Sequence, residues 1–146
     1  MTRLVQCLRM DKERYERGWE RLRQIHGEEG EQFIENVKSV APDLARFIVE
    51  FGFGDVYSRP GLAVKTREIV TVAALTALGN AQPQLKVHIK AALNVGCSRE
   101  EMVETMIQLA VYAGFPAALN GIELVKQVFD ESGKKGGFRR SASSGS

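Results

Sequence analysis

Two side chains suited to acid–base chemistry, Glu68 and His88, stand twenty residues apart in the chain. His88 is one of only two histidines among 146 residues. Imidazole changes its charge near neutral pH, so it serves as a proton donor or acceptor, as a ligand, or as a hydrogen-bonded core residue. The stretch that leads to it, GNAQPQLKVH, contains no serine, no cysteine and no obvious metal partner. The elements around the two residues must therefore decide between these roles.

The segment PQLKVHIKAALNVG is predicted to be a helix that turns His88 inward. Leu85, Ile89 and Ala92 recur at the spacing of one helical face, and His88 falls on that face. Lys86 falls on the opposite side. A lone inward histidine is more often a hydrogen-bonded core residue than a catalyst, so the helix by itself leaves both interpretations open.

Glu68 lies near the start of a helix that carries no charged residue from Ile69 to Leu78. A helix with apolar side chains all round is buried on most sides. One interpretation of Glu68 is structural, because a carboxylate in a first helical turn interacts favourably with the helix dipole. The other is a functional carboxylate at the mouth of a buried helix, flanked by Lys65 and Arg67.

Four further residues could contribute to a site, and each has a structural alternative. Cys97 follows the helix-ending Gly96, where a thiol is either a small apolar filler or a nucleophile. Tyr112 and Phe115 stand at a helix break and could line a pocket, although such residues more often only pack. Asn120 is a polar pocket residue or a competitor for backbone hydrogen bonds.

The elements that must position these residues are all predicted to be helices, because apolar residues recur at helical spacing and no strand-like alternation persists. Glycine ends several of these helices, and Ser98 with Glu101 fits a capping box. We predict an all-α fold of about seven helices with short connections. The predicted helical segments are residues 11–27, 28–40, 41–54, 63–80, 83–96, 98–114 and 116–131.

Charge is distributed unevenly along the chain and predicts the domain limits. The formal net charge of +2 combines +2 in residues 1–10 and +4 in residues 132–146 with −4 in residues 11–131. We predict a single domain over 11–131, a poorly ordered extension over 1–10, and a disordered basic Gly/Ser tail over 132–146. Because an acidic body repels phosphates, we expect no nucleic-acid partner.

Several other classes of protein are disfavoured by what the sequence lacks. It has no apolar run of about 18 residues and no convincing signal peptide, so we expect no membrane association and a cytoplasmic location. Cys7 and Cys97 are too far apart in different contexts to indicate a disulfide framework or a metal site. No nucleophile-elbow, zincin, P-loop or dinucleotide-binding motif occurs.

Several motifs, in order, resemble the carboxymuconolactone decarboxylase family of the alkylhydroperoxidase D-like superfamily. They are TREIVTVAAL, QLKVHIKAALNVG, SREEMVE and YAGFPAALNG, and the resemblance covers about residues 33–130. It implies an alkylhydroperoxidase D-like helical bundle with a central helical hairpin, assembled into trimers or hexamers. It also implies decarboxylation of a carboxylated lactone, similar to 4-carboxymuconolactone, in the breakdown of aromatic compounds.

The resemblance also sorts the candidate residues by role. Glu68 and His88 match the acid and the histidine of the family and become the proposed catalytic residues. The peroxide-reducing branch carries C-x-x-C before this histidine, but Ala81 and Gln84 stand at the two cysteine positions here. Peroxide reduction through a disulfide needs two thiolates, so this alternative is disfavoured, and Cys97 lies on the wrong side of the histidine.

A dianionic lactone also needs a cation, for which Arg67 and Arg59 are the nearest candidates in sequence. Tyr112, Phe115 and Asn120 complete the expected substrate contacts. Neither a cofactor nor a metal is expected, because the lactone carbonyl itself accepts the electrons released with CO2. Three alternatives stay open: a thiol-dependent antioxidant protein of the alkylhydroperoxidase D type, a non-catalytic oligomeric binding protein of the same fold, and a decarboxylase or hydrolase acting on another small acid.

Overall fold

The computed structural model describes the backbone of residues 3–140 and the side chains of residues 12–133, and this described part contains helices and no strand. The all-α fold class is therefore confirmed. A π-helical segment, Ile48–Val56, continues directly from the second α-helix. The α-helices are α1 (Arg3–Val40), α2 (Pro42–Phe47), α3 (Val64–Leu78), α4 (Gln82–Asn94), α5 (Arg99–Tyr112) and α6 (Phe115–Arg140).

The described residues form six α-helices where the sequence predicted about seven, because two predicted helices lie within α1. Gly27, the predicted end of the first of them, does leave helical geometry, with φ 60° and ψ −150°. Only glycine adopts this backbone region without a steric penalty, so the chain bends there and then resumes the helix. The glycine was recognised correctly as a break, and its effect is a kink inside α1.

Three helices of the second half end where their sequence signals predict, whereas α6 continues to Arg140, beyond the predicted end at residue 131. Gly79, Gly96 and Gly114 follow α3, α4 and α5 and have φ angles of 73°, 97° and 87°. At the start of α5, the Ser98 hydroxyl accepts from the backbone N–H of Glu101, whose carboxylate accepts in return from the Ser98 N–H. This reciprocal capping box is the predicted one, and it satisfies backbone donors that the first helical turn would leave unpaired.

The chain forms two compact units, of which the first ends at Arg67. Here α1 packs backbone to backbone against the π-helical segment: a Cβ atom at Gly18 would lie only 2.0 Å from the carbonyl oxygen of Val49. Arg14 of α1 donates from Nε to Asp55 at 2.9 Å. The guanidinium of Arg14 beside Asp55 holds the pKa of that carboxyl below its ordinary value.

The second unit begins at Glu68, and all of its helices contribute to one apolar core. Lys86 and Lys90 of α4 also bind Glu131 of α6, with Nζ–Oε distances of 2.6 and 3.0 Å. Hydrogen bonds from these ammonium groups lower the pKa of Glu131 to about 2. The fully buried members of the core are Val72, Ile89, Ala92, Met102, Met106, Val125 and Val128.

The predicted domain limits stay predictions. The side chains of the predicted extension (1–10) and most of those of the predicted tail (132–146) fall outside the described residues. Among the described residues, none of the helices combines the length and the hydropathy needed to span a membrane.

Candidate active site

Glu68 lies in the second turn of α3, because this helix begins at Val64. The interpretation of Glu68 as a first-turn acid that caps the helix dipole is therefore wrong. Its side chain is 0% exposed, on the same helical face as the core residues Val72 and Thr76. A carboxylate is expensive to desolvate, so complete burial requires a partner that offsets the cost.

His88 lies on the inward face of α4, as the spacing predicted. Leu85, Ile89 and Ala92 on the same face are buried. The His88 side chain itself is 21% exposed, so the ring is largely enclosed and one part of it reaches the surface. An imidazole in this setting is held by the core and stays accessible to a small molecule.

The fold brings these two residues together: Nδ1 of His88 lies 2.8 Å from Oε2 of Glu68. The hydrogen bond fixes the orientation of the ring. The other carboxylate oxygen, Oε1, is buried and has no hydrogen-bond partner among the described residues. Buried polar atoms are nearly always satisfied, so this oxygen is one that a water molecule or a bound ligand has to satisfy.

The two arginine candidates contact each other in the first unit. Arg67 donates from a terminal nitrogen to the backbone carbonyl oxygen of Arg59 at 3.0 Å. Its Nε is buried and has no acceptor among the described residues. The side chain of Arg59 is exposed. Of the two arginines, Arg67 has its guanidinium held by a hydrogen bond, and its Nε–H remains as a donor without an acceptor among the described residues.

Tyr112, Phe115 and Asn120 lie at the surface of the second unit. Tyr112 is 81% exposed, and Phe115 and Asn120 are also exposed. Among the described residues these three side chains are exposed rather than enclosed. Their assignment as substrate contacts stays a prediction.

The structure offers little support for thiol-dependent chemistry. Ala81 directly precedes α4 and Gln84 lies exposed in its first turn, so the positions of the two family cysteines are at the helix start but carry no sulfur. Cys97 is buried within the apolar core of the second unit. A thiol in apolar surroundings is disfavoured as a thiolate, which is consistent with a filler role.

The sequence analysis did not single out Glu50, which is 5% exposed in the π-helical segment. Its carboxylate lies 3.3 Å from Arg46 and 3.6 Å from Arg14. One signal could have drawn attention to it: Glu50 is a lone acid between Val49 and Phe51 in an otherwise apolar stretch. An acid in such a stretch is either a site residue or half of a buried ion pair.

Together, the fold and the site define an all-helical protein with a buried carboxylate–imidazole pair. Residues 42–127, which include Glu68 and His88, match the model of the carboxymuconolactone decarboxylase family. The chain is 36% identical over 124 residues to the 4-carboxymuconolactone decarboxylase of Acinetobacter baylyi, an alignment that covers 84% of this chain and 92% of that protein. This protein belongs to the carboxymuconolactone decarboxylase family.

Two other relatives are more distant. An uncharacterized 15.0 kDa protein of Paracoccus denitrificans is 32% identical over 65% of this chain and 72% of its own length. The nitrosuccinic acid decarboxylase of Metarhizium robertsii is 28% identical over 76% of this chain and 80% of its own length. Two of the three relatives named here are therefore decarboxylases that act on different acids.

Proposed function

We propose that this protein is a carboxy-lyase that removes CO2 from a carboxylated lactone of the 4-carboxymuconolactone type. The observation that carries the proposal is the hydrogen-bonded pair of His88 and Glu68. Glu68 is fully buried, and its Oε1 has no hydrogen-bond partner among the described residues. Membership of the family and the activity named for the Acinetobacter baylyi relative support the same reaction class.

The substrate can supply its own electron sink. The bond between the ring carbon and its carboxylate breaks, CO2 leaves, and the electron pair passes through the conjugated C=C bond to the lactone carbonyl. A dienolate results, and a proton is then delivered to carbon to give the product lactone. The protein has to stabilise the developing oxyanion and supply the proton, and neither task requires a cofactor.

His88 is the residue we assign to the reacting atoms. Because Nδ1 binds Glu68, the contact with the substrate is assigned to Nε2, either as a hydrogen-bond donor to the dienolate oxygen or as the proton source. Glu68 orients the ring. Its Oε1 atom is a second acceptor within the same site and can relay the proton.

Arg67 is the better of the two candidate contacts for a substrate carboxylate. It directly precedes Glu68 in α3, and its buried Nε has no acceptor among the described residues. Arg59 contributes through its backbone carbonyl, which holds the guanidinium of Arg67 in place. A guanidinium binds a carboxylate through charge-assisted hydrogen bonds, so Arg67→Met is expected to raise KM more than it lowers kcat.

We also propose that the chain assembles into trimers or hexamers around a central helical hairpin and acts in the cytoplasm. Ile107, Val111 and Tyr112 near the end of α5, with Phe115 and Leu119 at the start of α6, expose large apolar side chains. Such a surface is usually covered in an assembly.

If Tyr112, Phe115 and Asn120 contact the substrate, a neighbouring copy must enclose them. Light scattering after size-exclusion chromatography checks this, and a monomer would contradict it.

The decisive experiment is a turnover screen that records CO2 release. The wild-type protein is incubated with 4-carboxymuconolactone, with other carboxylated lactones and with nitrosuccinic acid, because the distant Metarhizium robertsii relative is named for the last. We expect turnover of a carboxylated lactone, and its loss in His88→Ala with the oligomer intact. Preference for nitrosuccinic acid would show that the substrate is a nitro acid, whose nitro group accepts the electrons released with CO2.

The same screen separates the remaining alternatives. Full lactone turnover by His88→Ala would overturn the assignment of this histidine. No turnover of any acid, together with tight binding of one of them, would identify a non-catalytic binding protein. Hydrolysis of the lactone without CO2 release would identify a hydrolase.

A further inference from the structure

The first unit contains a cavity that the proposed decarboxylation does not use. Its volume is about 410 Å³, and the described residues that line it are Arg14, Arg46, Phe47, Glu50 and Phe51. Ligand pockets in proteins measure roughly 300–1,000 Å³, so the cavity suits a small organic molecule. α1, α2 and the π-helical segment each contribute to its wall.

The polar part of the wall is an arginine pair held by one buried carboxylate. Glu50 lies 3.3 Å from Arg46 and 3.6 Å from Arg14, and both contacts run to the same oxygen, Oε2. Arg14 is anchored further by Asp55. Asp55 and the exposed Asp43 offset the charges of the two arginines, so the wall offers guanidinium N–H donors rather than a net positive charge.

Arg46 is the more available of the two cations. Its second terminal nitrogen lies 3.5 Å from Asp43, at the limit of a hydrogen bond. Asp43 is an exposed residue of a helix surface, so water screens this contact and an entering anion can replace it. The guanidinium also lies over the ring of Phe47, with 4.8 Å between its central carbon and the ring centroid.

The apolar part of the wall consists of two exposed phenyl rings. Phe47 and Phe51 are 53% and 62% exposed, although side chains of this size are normally buried. They are four residues apart, at the junction of α2 and the π-helical segment. Stretches of π-helix are rare and are frequent at functional sites. Two rings beside an available guanidinium match a flat molecule with an anionic end.

We propose that this cavity binds a small planar carboxylate, with Arg46 contacting the carboxylate group and Phe47 and Phe51 contacting the apolar body. At the point of contact Arg46 presents N–H donors on a cation, which an anion can accept from and an ammonium group cannot. Neither Glu68 nor His88 is among the described residues that line this cavity, and the proposal does not depend on the reaction proposed for them.

The proposal is tested with benzoate as the probe and the full-length protein in solution. Two-dimensional NMR follows the Arg46 Nε–H and the backbone amides of Phe47 and Phe51 during a titration. We expect saturable shifts of these signals with benzoate and much weaker shifts with benzamide, which lacks the charge. Benzylamine, which has the same ring and the opposite charge, should leave them unchanged.

Variants place the binding in the cavity and separate it from the catalytic pair. Arg46→Met should weaken benzoate binding about 10- to 100-fold, since it removes a charge-assisted hydrogen bond. Arg23→Met is the matched control, because Arg23 of α1 is an exposed arginine paired with Glu31. His88→Ala should retain the binding, and Phe51→Ser should weaken it. Circular dichroism checks that each variant is folded.

Three results would overturn the proposal. Benzoate could shift no signal of the cavity, or it could shift only signals around His88. Arg46→Met could bind benzoate as well as Arg23→Met does. Benzylamine or benzamide could bind as tightly as benzoate, which would indicate an amine site or a purely apolar contact surface. None of these results depends on whether the protein decarboxylates a lactone.

Discussion

Replacing Glu68 with glutamine removes one negative charge from the buried pair and keeps its shape. In the wild-type protein, Oε2 of Glu68 lies 2.8 Å from Nδ1 of His88, and the carboxylate is fully buried. An amide oxygen at the same place still accepts a hydrogen bond from Nδ1. A neutral amide accepts a weaker hydrogen bond than a carboxylate does, so the ring of His88 is held less firmly in the orientation that the reaction needs.

The size of the effect follows from the kind of hydrogen bond that is weakened. A hydrogen bond to a charged group contributes roughly 1.5–3 kcal/mol. Since about 1.4 kcal/mol corresponds to a tenfold change in rate, Glu68→Gln should lower kcat by about 10- to 150-fold. The KM should change little, because the glutamine leaves the shape of the site intact.

Although kcat should fall in Glu68→Gln, the free energy of unfolding should rise or stay unchanged. The buried carboxylate carries a desolvation cost, and Oε1 has no partner among the described residues to offset it. Glutamine removes the charge, so we expect the free energy of unfolding to be equal to or above that of the wild-type protein. A fall in activity without a fall in stability distinguishes a functional carboxylate from a core residue that only satisfies His88.

The assay combines steady-state CO2 release with thermal or denaturant unfolding. Glu131→Gln is the matched control, because it makes the same chemical change at a partly exposed ion pair of the same unit. The control should retain wild-type kcat. Wild-type kcat in Glu68→Gln would refute the role of the carboxylate. A strong loss of stability with normal activity per folded molecule would show that the pair is structural.

Three further predictions concern the scaffold and the thiol. Gly18→Ala should lower the free energy of unfolding by about 1–3 kcal/mol, because the added carbon collides with a backbone carbonyl. The control Gly52→Ala adds its carbon in open space, so its free energy of unfolding in denaturant should be unchanged. The carboxyl of Glu131 should titrate near 2 by NMR, and Lys86→Met should move its pKa up towards 4.5; an unchanged value would disprove the coupling. The protein should reduce no organic hydroperoxide at the expense of a thiol, and Cys97→Ala should retain lactone decarboxylation with reduced thermal stability, since the thiol is a buried filler. Thiol-dependent peroxide turnover that disappears in Cys97→Ala would restore the antioxidant alternative.

Much of the secondary structure was predictable because its signals are local. The glycines that end α3, α4 and α5, and the capping box of Ser98 and Glu101, act on the backbone within a few residues and require no tertiary context. Gly27 shows the limit of such signals. It predicted a break correctly, but whether the helix resumes after it depends on what the following residues pack against.

The inward position of His88 was likewise fixed by spacing, since neighbouring apolar residues on α4 define its buried face. The sequence and the family resemblance could propose Glu68 as its partner, and no local rule could bring the two side chains to 2.8 Å. The burial of Glu68 depended on where α3 begins. The helix begins at Val64, so Glu68 lies in its second turn and not in its first.

The sequence by itself determined the all-α class, most helix ends, and the identity of the two residues that face each other. Tertiary structure alone decided that Glu68 is buried with one oxygen unpartnered, that Arg67 is held by the Arg59 carbonyl, and that Tyr112 is exposed. The physical reason is range. Capping, glycine breaks and helical periodicity act over one or two turns, whereas burial and hydrogen-bond satisfaction depend on residues far away in the chain.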